Sequence, residues 1–167
     1  MLKLFIEEPD SGFSVREIAR RLNQNHATIL NHMAPFVKRE LIVIDKTTLY
    51  PTYRANTSSK DYRLYKKNEI VFQINESGLI EHIKEKALPA SIILYGSCAK
   101  GDYRKGSDID IFVEANEAKL DLAKFEKMLG REIHVIFEQK IMNLASPLLN
   151  NVLNGIILNG FVKLDRL

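Results

Sequence analysis

Asp108 and Asp110, two aspartates one residue apart, are the part of this chain best suited to chemistry. From Ser107 to Val113 polar and apolar residues alternate, so the two-residue period of a strand puts both carboxylates on one face and Ile109, Ile111 and Val113 on the other. The isoleucine side is expected to bury half of the strand. No basic residue separates the carboxylates, and they repel each other unless a cation stands between them. Hard divalent cations take oxygen ligands and bridge to phosphate, so Mg²⁺ or Mn²⁺ is the expected cofactor, with Asp108 and Asp110 as catalytic and metal-binding residues.

Gly96-Ser97 is the second element of the expected site. It follows the apolar run Ile92–Tyr95 and precedes a short helical stretch, so backbone N–H groups and one hydroxyl are exposed where no Cβ obstructs a phosphate. Gly96, Ser97 and Ser107 are the candidate nucleotide-binding residues. Lys100, Arg104 and Lys105 lie in the intervening loop and are further candidates for touching phosphate, although a solvated loop is the favoured reading for each. Cys98, the single cysteine, reads as a small filler inside the turn and excludes an internal disulfide.

A Gly-Ser turn, ten further residues and then Asp-x-Asp on a strand resembles the signature of the DNA polymerase β-like nucleotidyltransferase superfamily. The fuller stretch GSCAKGDYRKGSDIDIFV is similar to the minimal nucleotidyltransferases of bacteria and archaea. The resemblance covers roughly residues 77–162. It implies nucleoside monophosphate transfer from a nucleoside triphosphate, ATP by expectation, to a hydroxyl, with two metal ions on a carboxylate triad. Asp108 and Asp110 match the first two ligands. The third position falls on His134, in REIHVIF, where imidazole suits Mn²⁺ or Zn²⁺ better than Mg²⁺. Glu132, one pleat away on the same face, is the alternative ligand.

The flanking elements are read from periodicity. Residues 1–8 form a short helix ended near Pro9 and Gly12. Ser14 and Glu17 make a capping box for VREIARRL, whose Val15, Ile18, Ala19 and Leu22 form the apolar face opposite Arg16, Arg20 and Arg21. Asn25 caps a second helix over residues 26–41, with Ile29, Met33, Phe36, Val37 and Leu41 inward and a bend expected at Pro35. LIVID, KTT and LYPTYRAN then read as a hairpin with Lys46 at its tip. The order of elements over residues 12–55 resembles the winged helix-turn-helix domains of prokaryotic transcription regulators. That resemblance implies duplex DNA as a partner, a homodimer, and contacts from Arg16, Arg20, His26, Thr28, Asn31, His32 and Lys46.

A linking helix is expected near residues 58–75, with Tyr62 and Tyr65 among lysines and arginines. A helix over 77–88 follows, then the central strands. An amphipathic helix is expected from Glu117 to Gly130 with Leu120, Ala123, Met128 and Leu129 inward, and a last helix over about 141–153. The fold class is α+β: a winged helix-turn-helix at residues 1–57, a linking helix at 58–76, and a mixed sheet flanked by helices at 77–167.

The whole chain agrees with these elements. Its 167 residues suffice for one ordinary domain or two small ones, and 46% hydrophobic with 27% charged is a globular balance. The start MLKLFIEEPDSG turns acidic before a signal core could form, and no apolar run approaches a membrane span, so a cytoplasmic protein without a membrane partner is expected. The net charge of +3 conceals an imbalance: residues 1–67 hold 12 Lys and Arg against 7 Asp and Glu, whereas residues 68–167 hold 12 against 14. The first half is therefore where an acidic polymer would bind.

Three readings follow. One is a metal-dependent nucleotidyltransferase acting on a protein or small-molecule acceptor and carrying a DNA-targeting or autoregulatory domain, as an antitoxin-like member with a toxin partner would. Another is a DNA-binding regulator with a degenerate transferase fold. In the third, the winged domain binds only protein.

Overall fold

The computed structural model describes residues 1–47 and 49–163; Thr48, in the expected hairpin tip, and residues 164–167 lie outside the described residues. The chain divides into two compact units, Met1–Lys66 and Lys67–Leu167.

In the first unit, α1 (Leu2–Glu7) leads to α2 (Val15–Leu22), where the Ser14 hydroxyl accepts the Glu17 N–H at 3.2 Å. The Glu17 carboxylate turns instead to Arg21, which it meets at 2.9 Å, so the reciprocal half of the capping box gives way to an ion pair. Asn23 takes the left-handed conformation (φ 50°), and the Asn25 side chain caps α3 (His26–Lys38) through Thr28 N–H at 2.8 Å. The helix runs through Pro35 and stops before Leu41, which is nevertheless buried and caps the chain's entry into β1 (Ile42–Asp45). Phe36 and Val37 are half-buried beside fully buried Ile29 and Met33.

Strand β1 pairs antiparallel with β2 (Thr52–Ala55), and Phe13 adds a short bridge to Tyr53 on the far side of β2. Asp45 steadies the tip by accepting both the N–H and the hydroxyl of Thr47. The core of this unit closes on Phe5, whose ring meets Phe13 edge-on at 5.4 Å and whose carbonyl accepts the Tyr62 hydroxyl at 2.8 Å. Tyr62, on α4 (Lys60–Glu76), is thus a core residue, and its ring is not offered to a phosphate backbone.

In the second unit, α5 (Leu79–Ala87) precedes a four-stranded sheet. Its strands are β3 (Ser91–Tyr95), β4 (Ile109–Glu114), β5 (Ile133–Glu138) and β6 (Ile156–Gly160), in the order β5-β4-β3-β6. Strand β3 is antiparallel to β4 and β6, while β4 and β5 run parallel. The helices are α6 (Gly96–Lys100), α7 (Ala123–Leu129) and α8 (Ser146–Leu153), with a 3₁₀ turn at Ile141–Asn143.

Several sequence expectations change here. Strand β4 is covered on both faces, because Phe112, on the aspartate side, packs with Ile93, Tyr95, Ile141, Leu144 and Val152; of its residues only Asp110 stays partly accessible. Helix α7 begins six residues later than expected and buries Phe125, whereas Ala123 and Met128 are exposed. The inward row is Leu122, Phe125, Glu126 and Leu129, a helical spacing hidden in the sequence by the glutamate, whose carboxylate accepts the Ile133 N–H at 3.1 Å. The expected last helix splits into the 3₁₀ turn and α8. The apolar stretch after it is β6, bulged against β3 at Ile92–Ile93; at Gly160, opposite Ser91, a Cβ would overlap the Ala90 carbonyl.

Candidate active site

The β3–β4 hairpin builds the site. Strand β3 ends at Tyr95, the chain turns through Gly96 at φ +70°, and α6 leads by residues 101–108 back into β4, where Asp110 pairs with Tyr95. A Cβ on Gly96 would overlap Oδ2 of Asp110. Glycine is required there twice over, by the left-handed backbone and by the carboxylate lying above it. The buried Cys98 thiol donates to the Asp108 carbonyl at 3.3 Å, fastening the turn to the start of β4.

Parallel pairing with β5 places His134 in register with Asp110. Its Nδ1 lies 3.8 Å from a carboxylate oxygen of Asp108 and 3.8 Å from one of Asp110, while Nε2 lies 3.9 Å from Glu132. These separations exceed a hydrogen bond and describe ion pairs when the imidazole is protonated. His134 therefore stands between the aspartates and Glu132, and Glu132, with most of its side chain in solvent, reaches the far side of the ring and not the carboxylates. The Asp110 carboxyl is held above the ordinary carboxylate range, first by burial; the nearby imidazole opposes this and the Asp108 charge adds to it. The Tyr95 hydroxyl is likewise pushed up, by burial and then by Asp110.

Arg131 is the site residue that sequence reasoning missed. Its Nη1 donates to the carbonyls of Arg104 (2.7 Å) and Ser107 (2.8 Å), and its guanidinium lies 4.8 Å from the centre of the buried Tyr103 ring. It thereby clamps the loop delivering Asp108, which Ser107 closes by accepting the Arg104 N–H at 2.8 Å. An arginine just before a strand carries no local signal for this, because both partners are backbone carbonyls more than twenty residues away. Ser97 and Gly96 stand at the start of α6, Lys100 reaches Asn151 of α8 at 3.4 Å, and Lys105 is exposed.

Among the described residues no group of three or more His, Cys, Asp and Glu is arranged to hold a metal ion. The aspartate pair alone is a hard-oxygen donor set open to solvent, and that chemistry fits a divalent ion whose remaining positions go to water and substrate phosphate.

In the first unit, Thr28, Asn31 and His32 share one side of α3 by their spacing, whereas His26 and Leu30 share another. Arg16, Arg20 and Lys46 are exposed, and among the described residues none of the three has an ion-pair partner. Arg21 is committed to Glu8 and Glu17. No described helix is long and apolar enough to cross a membrane.

The model of the nucleotidyltransferase domain family matches residues 76–159. A Methanocaldococcus jannaschii protein, provisionally named a protein adenylyltransferase, is 38% identical over 69 residues, which are 36% of this chain and 69% of that protein. Nucleotidyltransferase domains generally use divalent metal ions and a nucleoside triphosphate. The matched stretch spans half of the chain and contains the glycine turn, both aspartates and the β5 histidine, and the chain belongs to the nucleotidyltransferase domain family.

Proposed function

We propose that this chain transfers a nucleoside monophosphate, from ATP by preference, to a hydroxyl of a protein or small-molecule acceptor, and that its first unit is a winged helix-turn-helix that binds duplex DNA as a homodimer. The observation that carries the transferase reading is the convergence of Asp108 and Asp110 above the Gly96 turn. In this reading Asp108 and Asp110 hold Mg²⁺ or Mn²⁺, and the backbone at Gly96 and Ser97, with Ser107 beside it, receives the triphosphate. The bound ion supplies neutralisation of charge on the departing pyrophosphate. The protein's own work is positioning: the clamp of Arg131 fixes the loop, and the hairpin fixes the distance from carboxylates to turn. The acceptor oxygen bonds to the α-phosphorus as the bond to pyrophosphate breaks. The name of the archaeal relative supports a protein acceptor, and a toxin partner is one such acceptor.

Incubation with α-labelled ATP and Mg²⁺ or Mn²⁺ tests the transferase reading. Label should move to an acceptor or to the chain itself, and Asp108→Asn with Asp110→Asn should abolish the transfer. Retention of transfer in the double variant would remove these residues from the chemistry.

One observation favours a second reading, a regulator that binds nucleotide with little turnover. His134 occupies the in-register position beside Asp110, where imidazole contributes no negative charge to a site that would otherwise hold a third carboxylate. Glu132 as a substitute ligand would have to move around the ring to reach the pair. The two readings differ in turnover but share the nucleotide site.

A further inference from the structure

The first unit contains a cavity of about 590 Å³ between the start of α2, α3 and the hairpin. Val15, Leu30, Tyr50, Pro51 and Tyr53 line it together with Arg16 and His26. The volume falls within the range of about 300–1,000 Å³ common to small-molecule sites, and the lining has the mixture such sites show: a mainly apolar surface with a few polar groups. No Asp or Glu contributes to the lining. Among the described residues neither Arg16 nor His26 has an ion-pair or hydrogen-bonding partner, and Leu30 and Tyr50 leave 44% and 69% of their surface in solvent.

We propose that this cavity binds a small aromatic carboxylate. An aromatic ring between Tyr50, Leu30 and Val15 would remove apolar surface from water on both sides. The carboxylate would then meet the Arg16 guanidinium, whose planar fork is matched to two carboxylate oxygens. A duplex phosphate could satisfy Arg16, but it would leave the apolar wall wet. The site is independent of the transferase site, since every residue in it belongs to the first unit.

The test is an amide-shift titration of the full chain with indole-3-acetate and with its neutral amide. The acid should give saturable shifts at Val15, Arg16, His26, Leu30 and Tyr53 and should bind about tenfold more tightly than the amide. Arg16→Ala, an exposed position whose replacement spares the core, should lose that preference, and Lys38→Ala, the same charge change on the far end of α3, should keep it. Equal binding of acid and amide, saturable shifts only elsewhere, or no saturable shift at these residues up to millimolar acid would each overturn the proposal.

Discussion

Burial is the first cause of the raised Asp110 pKa, and it fixes the sign of one substitution. A carboxyl that is raised in the folded state contributes stability below the ordinary carboxylate range and loses it as pH rises through its folded value. Asp110→Asn should therefore be more stable than the natural protein at neutral pH without divalent ions, and the gain should vanish at about pH 3, below both carboxylate values. Urea midpoints in chelator at the two pH values measure it. His134→Asp should raise Mg²⁺-dependent transfer by about tenfold or more, because one added carboxylate lowers a barrier for which each tenfold is about 1.4 kcal/mol; initial rates with Mg²⁺ and Mn²⁺ check this, and an unchanged rate would show that His134 is not the limiting ligand. Asp108, Asp110 and Gly96 were legible because the period of two and a positive-φ turn are local properties. Arg131 was not, since its role is a pair of long-range bonds to main-chain oxygens. Arg131→Ala leaves two carbonyls without that donor and should cost about 1.5–3 kcal/mol, read in denaturant, together with weaker nucleotide binding in calorimetry.

At the scale of elements, caps were the most readable features. Ser14 and Asn25 both accept the N–H three residues on, and Ser14→Ala should destabilise the first unit by about 1 kcal/mol in thermal or urea unfolding. Helix α7 was misread because a half-buried glutamate interrupts its apolar row, and a row counted by hydrophobicity alone shifts to Ala123 and Met128, which face water. Strand β6 went unread for a different reason: five residues between Gly155 and Phe161 carry too little alternation to separate a strand from a loop, and its place is set by β3. Gly160→Ala should expose this dependence. The added methyl meets the Ala90 carbonyl in a backbone conformation unfavourable to alanine, a strain of about 1–3 kcal/mol, and hydrogen exchange should show β6 detaching before the rest of the sheet.

At the scale of the molecule, the basic excess of residues 1–67 makes the proposed duplex binding testable by salt alone. Its affinity should fall with a log–log slope of about −0.9 for each phosphate neutralised, and a flat response would remove Arg16, Arg20 and Lys46 from any phosphate contact. The direction in which β5 runs has a consequence for the order of assembly. Thirteen residues, including α6, join antiparallel β3 and β4, whereas eighteen, including α7, separate β4 from its parallel partner β5. The entropy of closing that longer path falls on the pairing that carries His134 to Asp110. On that account the glycine turn and its two carboxylates should join first in refolding, as a pair of strands whose negative charges lack the imidazole, and divalent ions added in stopped-flow refolding should speed the remaining step.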